Sequence, residues 1–398
     1  MKILQINATY GCGSTGLIVK DIGDAITSSG NEAFFAYQTG SSPQGSGYVI
    51  GNTLDWKAHA LLCRILGKQG YYSKSPTQNF LNYLDELKPD VVHLHNLHSN
   101  FINLNLLLEY LANKNIPTVI TMHDCWYFTG KCFHYVDAGC QKFMTDCKGC
   151  PKKNAPPRSY VFDCADTVLK DRQHYLSKIP RLRLVGCSDW ICAESKKGIL
   201  KDCISTRIYN GVDTEIFKPY NAPELIEQYG IKSKRIVLGM ANKWLSASNK
   251  VLLNKTVSTL PPNSVLMLIG CTDQQKQALS QYKNVVAVGF INDRELLARH
   301  YSIADAFVNA THADTLPTVN MESICCGTPV ITYDSCGSPE LVAEGCGIVI
   351  TENDVDAMVN AICTTTKADY PSCSETGIKL FNKKTCYDKY IDIYKEFI

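Results

Sequence analysis

The chain has 398 residues, of which 45% are hydrophobic and 20% charged, and its net charge is +2. This length predicts two domains, and the near-balanced charge argues against nucleic-acid binding. The 19 cysteines are scattered without a secretory apolar segment before them. No run reaches the roughly 18 apolar residues that a membrane span needs. We therefore expect a cytoplasmic protein whose thiols are mostly reduced.

A glycine-rich loop follows the first predicted strand, Ile3–Ile6. Residues 11–16 have the spacing G-x-G-x-x-G and lead into a helix predicted from Leu17 to Ser28. Such a loop lets the backbone approach a phosphate and directs N–H groups at it. A dinucleotide site would also need an acidic residue after the second strand, Ala33–Tyr37, which is followed by Gln38 instead. The pattern disfavours NAD and favours another diphosphate.

Residues 54–72 mix large apolar side chains with Lys57, Arg64 and Lys68. One interpretation is a basic amphipathic segment that lies on a membrane surface. The other is a packed helix with one solvated face, which is the commoner arrangement in globular proteins. The sequence leaves both interpretations open.

Histidines follow two neighbouring strands of the predicted first sheet. Strand Asp90–Leu94 carries His93 and is followed by His95, and strand Thr118–Met122 is followed by His123. Open α/β sheets bind ligands at the carboxyl ends of their strands, so these side chains point to a site. The His-x-His spacing could also suggest a metal, but no nearby carboxylate completes a ligand set.

The turn after the second of these strands adds an acid and a group of aromatic residues. His123 is followed by Asp124, and Trp126, Tyr127 and Phe128 come directly afterwards. Aromatic faces next to a histidine and a carboxylate are typical of a platform for a sugar. The alternative is that His123 is only a packing histidine.

A polar segment from Lys131 to Arg158 contains the cysteines Cys132, Cys140, Cys147 and Cys150. Four thiols that end in a C-x2-C pair could hold a structural, tetrahedral zinc ion. The first half of the spacing is too wide for a strong zinc signature. Free thiols and a redox-sensitive pair are therefore equally good interpretations.

A second alternation of strands and helices begins after an interdomain connection that runs to residue 234. Its predicted strands are Ile236–Met240, Val265–Ile269, Val285–Val288, Ala306–Ala310, Val330–Tyr333 and Gly347–Ile350. The final amphipathic segment, 380–398, has no strand after it. Two Rossmann-like halves with ligand-binding turns at their strand ends predict a cleft between two domains.

Residues 305–342 contain the densest group of candidate site residues. After the strand that begins at Ala306, Pro317 stands where a first helical turn would begin, so Thr315 or Leu316 would cap the helix. The N–H groups of residues 318–320 would then be free to bind an anion. Asp314 and Glu322 place two carboxylates next to this helix start.

These motifs together resemble the retaining GT-B glycosyltransferases of the family 4 type, in particular bacterial exopolysaccharide, capsule and O-antigen enzymes of the colanic-acid kind. The resemblance spans nearly the whole chain. Its markers are the loop 11–16, His95-Asn96-Leu97-His98, the block from His123 to Gly130, Asn210-Gly211-Val212-Asp213, Asp314 with Glu322, and Gly337-Ser338-Pro339-Glu340. Each motif alone is weak, and their order and spacing are specific.

The resemblance implies an α/β fold of two Rossmann-like parallel-sheet domains that face each other across a cleft. Residues 1–217 would form the acceptor-side domain and residues 218–379 the nucleotide-sugar domain. Residues 380–398 would return as a helix to the first domain.

The resemblance also implies roles for individual residues. His123 would bind the transferred sugar near its primary hydroxyl, and Asp314 would contact sugar hydroxyls beneath the anomeric carbon. His98 and Trp126 would lie on the acceptor side. Further donor-binding residues would be Gly13 and Gly16 in the loop, Asn210, Leu316, Thr318 and Val319 around the distal phosphate, Glu322 at the ribose, and Glu340.

Two departures from the family pattern affect the expected chemistry. The first carboxylate is Asp314, where Glu is usual. The Arg and Lys that normally neutralise the diphosphate are represented only by Lys243 and Lys250, without the usual glycine after the lysine. A lysine cannot offer the bidentate fork of arginine. Of the two, the sequence favours Lys250.

The resemblance implies transfer of a hexose-type sugar, with retention, from a UDP- or GDP-linked donor to a hydroxyl of a growing, lipid-linked surface polysaccharide. Neither a cofactor nor a catalytic metal would be needed, and the enzyme would work at the inner face of the plasma membrane. Two alternatives remain. One is a catalytically weakened donor-binding or scaffold subunit of a polysaccharide assembly complex, and the other is a sugar-nucleotide epimerase with the same fold.

Overall fold

The structure is a computed structural model that describes residues 1–43 and 45–398. The chain divides into two compact units. The N-terminal unit comprises residues 1–210 and 384–398, and the C-terminal unit comprises residues 211–383. Each unit is an α/β layer structure built on its own parallel sheet.

The sheet of the N-terminal unit has seven strands in the part of the chain that the structure describes. In chain order, β1 to β7 are Lys2–Ile6, Glu32–Tyr37, Gly47–Val49, Val91–Leu94, Thr118–Met122, Leu182–Gly186 and Ser205–Arg207. Their order across the sheet is β3-β2-β1-β4-β5-β6-β7, and every pairing is parallel. The chain therefore reverses direction across the sheet at β1, and β1 and β4 are neighbours with parallel carboxyl ends.

Helices cover this sheet because its central strands are apolar on both faces. Every residue of β4 and β5 is buried. The helices of the N-terminal unit, α1 to α6, are Gly13–Ser28, Thr53–Leu66, Lys74–Leu87, Leu104–Asn113, Ala165–Leu176 and Asp189–Ser195. Helix α2 begins with a capping box between Asn52 and Asp55 and ends at Gly67, whose φ is 71°.

The C-terminal unit repeats this architecture with a sheet of six strands among the residues described. Strands β8 to β13 are Arg235–Met240, Ser264–Ile269, Val285–Val288, Ala306–Asn309, Val330–Tyr333 and Gly347–Ile350. Their order is β10-β9-β8-β11-β12-β13, again parallel throughout. Helices α7 to α14 are Pro223–Gln228, Ala241–Trp244, Lys250–Thr259, Asp273–Leu279, Arg294–Ile303, Thr318–Cys325, Val355–Thr364 and Cys373–Phe381.

The last helix, α15, spans Lys383–Lys395 and belongs almost entirely to the N-terminal unit. Its buried face includes Tyr390, Ile391 and Tyr394. These side chains share one hydrophobic core with Ile3 of β1 and Val91 of β4. The predicted return of the chain end to the first domain is confirmed.

The two units meet in sequence at residues 210–211 and 383–384, whereas the resemblance implied boundaries after residues 217 and 379. Backbone pairing explains why residues 211–217 lie with the C-terminal unit. The Val212 N–H donates to the Phe381 carbonyl, and the Lys383 N–H donates to the Val212 carbonyl. Lys383 also forms an ion pair with Asp213, with 2.8 Å between Nζ and Oδ2.

The turn after β12, at Cys336-Gly337-Ser338, does not lead into an α-helix. Only a single 3-10 turn follows it, from Pro339 to Leu341. Cys336 adopts a φ of 52° just before it. Within the described residues, no helix is long and apolar enough to cross a membrane.

The docking of α15 predicts that two isoleucines near the chain end contribute very differently to stability. Ile391 is 5% exposed in the core of the N-terminal unit, whereas Ile398 is 80% exposed. We expect Ile391→Ala to lower the free energy of unfolding by about 2–5 kcal/mol, since it removes a packed side chain and leaves a cavity. Ile398→Ala should change it by less than about 0.5 kcal/mol. Urea titrations of both variants measure this difference, and equal losses would contradict the docking of α15.

Candidate functional site

The histidines after β4 and β5 meet, as the parallel register requires. His95 and His123 are hydrogen-bonded, with 3.1 Å between His95 Nδ1 and His123 Nε2. The other His95 nitrogen, Nε2, lies 3.1 Å from Oε1 of Gln5 on β1. Burial lowers the pKa of His123 to about 4 and that of His95 well below its usual value. Both rings are therefore neutral at neutral pH.

His93 belongs to the structure of the unit and is not a candidate ligand-binding group. Its Nε2 lies 2.7 Å from Oγ1 of Thr121, and its Nδ1 lies 2.7 Å from the hydroxyl of Tyr394 in α15. Tyr390, also in α15, is 3.0 Å from the same Thr121 oxygen. These bonds tie α15 to the strands that carry the histidine turns.

His98 and Asp124 form a second pair at the same edge of the sheet. His98 Nε2 lies 3.0 Å from Asp124 Oδ2, and the Trp126 N–H donates to Asp124 Oδ1 over 2.8 Å. Burial alone would raise the pKa of Asp124, but His98 and the donated hydrogen bonds outweigh it, and the pKa is lowered. Asp124 is thus held as a carboxylate that positions His98.

The predicted aromatic platform is wrong as a sugar-binding surface. Trp126 is 0% exposed, and Tyr127 and Phe128 are buried with it. A 3-10 turn over Cys125–Phe128 directs all three rings into the core. Trp126 Nε1 donates to Gln69 Oε1 over 3.0 Å, so even its polar atom is used internally. Trp126 supports the turn and does not face an acceptor.

Arg172 of α5 is a structural residue that the sequence analysis missed. Its guanidinium is buried, lies 4.0 Å from the centre of the Trp126 ring, and donates to the carbonyls of Trp126 and Thr129. Burial lowers its pKa to about 10, which still leaves it charged at neutral pH. Nothing in the local sequence distinguishes it, because it reaches this turn only through the packing of α5.

The glycine loop divides into a packing part and an open part. A Cβ on Gly16 would lie 2.8 Å from Oγ1 of Thr9, so Gly16 permits α1 to pack closely on the preceding segment. Gly13 has a φ of +66°, and a Cβ there would meet no atom within 4 Å. Helix α1 already begins at Gly13, four residues earlier than predicted. Gly13 is therefore the better candidate for ligand contact.

All four candidate zinc ligands, Cys132, Cys140, Cys147 and Cys150, line one small cavity. The thiol of Cys132 lies within hydrogen-bonding reach of Cys150. Across residues 1–43 and 45–398, however, no group of three or more His, Cys, Asp or Glu side chains is arranged to hold a metal ion. None of the four forms a disulfide, and the zinc interpretation stays a prediction.

The helix start after β11 differs in detail from the prediction. Helix α12 begins at Thr318, and Pro317 occupies the capping position, not Thr315 or Leu316. The Asn320 N–H donates to the Pro317 carbonyl over 3.0 Å, so it is not free as predicted. The N–H groups of Thr318 and Val319 lie in the first turn, where a helix offers no carbonyl partner.

Asp314 lies in the loop directly before this helix start. Its Oδ1 accepts a hydrogen bond from the Leu316 N–H over 3.2 Å, and its Oδ2 lies 3.9 Å from Lys243 Nζ. Lys243 also donates to Thr311 Oγ1 over 3.0 Å. Lys250, in contrast, is exposed and is the first residue of α9. These contacts favour Lys243 over Lys250, which reverses the order that the sequence favours.

A buried asparagine holds the Lys243 segment in place. Asn249 Nδ2 donates to the carbonyls of Lys243 and Ala310 over 3.1 and 2.7 Å. Its Oδ1 lies 3.2 Å from His312 Nε2, and His312 Nδ1 lies 3.0 Å from Glu352 Oε1. Asn249 therefore bonds the loop after β8 to the loop after β11. Its role could not be inferred from local sequence because its partners are distant along the chain.

Glu322, the second carboxylate, lies one turn into α12. The hydroxyl of the buried Tyr301 donates to Glu322 Oε2 over 3.1 Å. Burial raises the pKa of Glu322, while Tyr301 and the charge of Arg294 act in the opposite direction. One carboxylate oxygen is thus occupied by Tyr301, and Oε1 is left for a further donor.

The turn after β12 lies against the Asp314 loop. The Gly337 N–H donates to the Asp314 carbonyl over 3.2 Å, and the hydroxyl of Ser338 is buried with no hydrogen-bond partner among the described residues. Glu340 is half-buried in the 3-10 turn that follows. Asn210 is buried and is the residue at which the first segment of the N-terminal unit ends.

Family comparisons agree with the architecture of both units. Residues 221–373 match the model for glycosyl transferases group 1, and residues 18–150 match the model for glycosyltransferase family 4. Two Rossmann-like units with these matches define a glycosyltransferase with the GT-B fold. The chain belongs to the glycosyltransferases of the family 4 type.

Two relatives with known descriptions are distant from this chain in sequence. A protein of Escherichia coli K12, described as a glycosyl transferase of colanic acid biosynthesis, is 24% identical over 99% of this chain and all of its own. The alpha-monoglucosyldiacylglycerol synthase of Acholeplasma laidlawii is also 24% identical, over 65% of this chain and 62% of its own.

Solved structures support the fold. A glycosyltransferase from Rickettsia africae has a TM-score of 0.68 at 15% identity and covers 100% of this chain and 98% of its own. Anabaena HepE in complex with UDP-glucose has a TM-score of 0.65 at 16% identity and covers both chains completely. At these identities the likeness shows the GT-B fold alone.

The buried histidines predict a loss of stability in mild acid. Burial lowers the pKa of His59 and of His123 to about 4, whereas an unfolded histidine titrates near 6.5. Between these values the unfolded chain binds more protons, so stability falls as the pH drops below about 6.5. His59 is 1% exposed, and its titration should lower the free energy of unfolding by about 1.4 kcal/mol for each pH unit in this range.

Urea titrations between pH 5 and pH 7.5 measure this dependence. His59→Gln should reduce the slope of unfolding free energy against pH by about one proton. His174→Gln, at an exposed position of α5, is the matched control and should leave the slope unchanged. An unchanged slope in His59→Gln would show that this histidine is not held neutral by burial.

Proposed function

We propose that the protein transfers a hexose-type sugar, with retention, from a UDP- or GDP-linked donor to a hydroxyl of a growing, lipid-linked surface polysaccharide. The observation that carries this proposal is the placement of Lys243 beside Asp314 at the start of α12. A cation, a carboxylate and free helix N–H groups are what a nucleotide diphosphate sugar requires at its phosphates and its sugar hydroxyls.

The C-terminal unit supplies the donor site in this proposal. The ammonium of Lys243 and the N–H groups of Thr318 and Val319 stabilise the departing diphosphate. Asp314 accepts hydrogen bonds from sugar hydroxyls, and Glu322 uses its Oε1 to accept from the ribose. Fixed positions matter here, because preorganised charges need no rearrangement when the glycosidic bond breaks. Asn249 holds the Lys243 segment in place by donating hydrogen bonds to two backbone carbonyls.

The N-terminal unit contributes His123 and the open glycine Gly13. His123 is half-buried and neutral, so it can bind a sugar hydroxyl without adding a positive charge next to an oxocarbenium-like centre. Retention follows from attack on the face that the leaving diphosphate occupies, with a phosphate oxygen taking the proton of the acceptor hydroxyl. None of these steps draws on a metal ion.

The two lysines provide the sharpest test of the donor site. We expect Lys243→Ala to lower kcat by about 10²–10³-fold, the cost of removing one preorganised electrostatic group. Lys250→Ala removes the same charge from an exposed position in the same segment and should cost less than about threefold, since exposed charges are screened. Kinetics with a panel of UDP- and GDP-sugars and a lipid-linked glycan acceptor measure both.

The same panel tests the function itself. A donor present at about 100 times its Kd should stabilise the wild type by about 2.7 kcal/mol in thermal unfolding. Formation of a glycoside with the anomeric configuration of the donor supports the proposal. Donor binding without transfer would indicate a scaffold subunit, and an epimer formed without acceptor would indicate an epimerase. A larger loss in Lys250→Ala would contradict the assignment of Lys243.

A basic apolar surface on the N-terminal unit supports a membrane-bound acceptor. Helix α2 exposes large apolar side chains near its end, and the segment after Ser159 lies alongside it. The Tyr160 N–H donates to the Arg64 carbonyl over 2.7 Å. Together these elements expose the apolar residues Leu61, Leu62, Ile65, Leu66, Tyr160, Val161 and Phe162.

Exposed cations accompany this surface. Lys57, Arg64 and Arg158 are exposed on the same two segments, and the Arg158 guanidinium donates to the Tyr160 hydroxyl over 3.3 Å. Apolar residues flanked by cations suit the interface of an anionic bilayer, where the rings enter the headgroup layer and the cations meet lipid phosphates. We therefore propose that this surface docks on anionic lipid, where a lipid-linked acceptor is available.

Vesicle sedimentation tests the lipid surface. We expect Phe162→Ser to weaken binding to phosphatidylglycerol vesicles by about tenfold or more, because burial of such a ring is worth about 1.5–3 kcal/mol. Phe290→Ser, at a 79% exposed phenylalanine of the C-terminal unit, is the matched control and should not change binding. Equal binding of wild type and Phe162→Ser, or binding to phosphatidylcholine vesicles alone, would contradict an anionic-lipid surface.

A further inference from the structure

Gln5 occupies an unusual position for a glutamine, in the middle of a buried parallel strand. It is 0% exposed on β1, between two strands that pair with it on either side. Its Nε2 donates to the Val19 carbonyl of α1 over 3.0 Å. This bond fixes which end of the amide is nitrogen, so the oxygen must be the atom that faces His95, 3.1 Å away.

An amide oxygen can only accept a hydrogen bond, and this determines where the proton of His95 lies. His95 Nε2 must donate to Gln5. In the described part of the chain, the ring nitrogens of His95 bond only to Gln5 and His123. A fully buried imidazole without a carboxylate partner is neutral, so Nδ1 carries a lone pair. His123 Nε2 must then be the donor in the bond between the two histidines.

We propose that Gln5 is a positioning residue that sets the tautomer of His123 through His95. His123 is held with its proton on Nε2, and its Nδ1 presents a lone pair. Among the described residues, none forms a hydrogen bond with His123 Nδ1. This nitrogen can accept a hydrogen bond from a hydroxyl and cannot donate one. A sugar hydroxyl bound there is therefore oriented with its hydrogen toward His123 and its oxygen lone pairs elsewhere.

The surrounding groups are consistent with this arrangement. His93 lies 4.0 Å from His95 between ring centres and is itself buried and neutral. His98 and Asp124 face His123, and they bond to each other and not to its ring. Burial lowers the pKa of both His95 and His123, so neither ring binds a second proton at neutral pH.

The tautomer can be observed without any substrate. In long-range ¹H–¹⁵N spectra of the full chain labelled with ¹⁵N-histidine, we expect His123 to show a protonated Nε2 and an unprotonated Nδ1 at pH 7.5. Assignment uses the loss of one signal set in His123→Asn. A His123 protonated on Nδ1, or on both nitrogens, overturns the proposal. The spectra require no donor or acceptor, so the tautomer result does not depend on the proposed function. Only the role of the lone pair in binding a sugar hydroxyl rests on that function.

Two variants of Gln5 test whether the hydrogen bonds from Gln5 through His95 to His123 set the tautomer of His123. Gln5→Glu keeps the shape and supplies a carboxylate that favours doubly protonated His95. His95 Nδ1 then donates to His123 Nε2, and the proton of His123 moves to Nδ1. Gln5→Met removes the acceptor, and His123 should show a mixture of both tautomers. Where either variant folds, kcat should fall by at least about tenfold, the cost of one lost hydrogen bond.

A control variant separates an effect on the His123 tautomer from a general loss of packing. Tyr390→Phe removes a buried hydrogen bond to Thr121 in the same core but leaves Gln5, His95 and His123 untouched. It should lower thermal stability without changing the His123 tautomer. A His123 tautomer that stays the same in both Gln5 variants, or that changes in Tyr390→Phe, overturns the proposal.

Discussion

Both faces of each parallel sheet are buried, and this burial determines how the helices and the polar residues are arranged. Strands such as β4, β5, β11 and β12 are buried along their whole length, so they can be covered only by helices. Most of the candidate site residues then lie in the loops at the strand ends. Because parallel strands all point the same way, those loops converge at one edge of each sheet, and residues distant in sequence become neighbours.

In the N-terminal unit this convergence builds a buried polar network around three strands. Gln5 lies on β1 and His93 on β4, and His95 and His123 follow β4 and β5. Each polar atom in such a core has to find a partner, since an unpaired one costs about 1–3 kcal/mol. The partners come from as far away as α15, whose tyrosines bond to His93 and Thr121. The chain end is thereby tied to the candidate site.

In the C-terminal unit the same geometry joins a cation to a carboxylate. Lys243 follows β8 and Asp314 follows β11, and these strands are neighbours in the sheet. Asn249 connects their loops, and Tyr301 orients Glu322 from the adjacent helix. Asn249 and Tyr301 thus hold candidate donor-binding residues in place and are not themselves proposed to bind the donor. Such support is what keeps an electrostatic site preorganised.

Much of the fold could be predicted from local pattern. The strands Thr118–Met122, Val285–Val288, Val330–Tyr333 and Gly347–Ile350 were predicted with the bounds that the structure shows. The aromatic turn at Trp126 was misinterpreted, because a 3-10 turn that directs rings inward has the same composition as an exposed platform. The choice between Lys250 and Lys243 is limited in a similar way. Sequence spacing does not tell which of two lysines in an irregular segment faces the neighbouring loop.

Apolar periodicity and motif order are local properties, and they were enough to predict two alternating α/β halves, the family and the candidate residues His123, Asp314 and Glu322. The partners of these residues became known only from the folded chain. Gln5 and His95 are 90 positions apart, and Asn249 and His312 are 63 apart. Contacts at such distances depend on strand order and helix packing, which no short stretch of sequence encodes, and they set the protonation and orientation on which the chemistry depends.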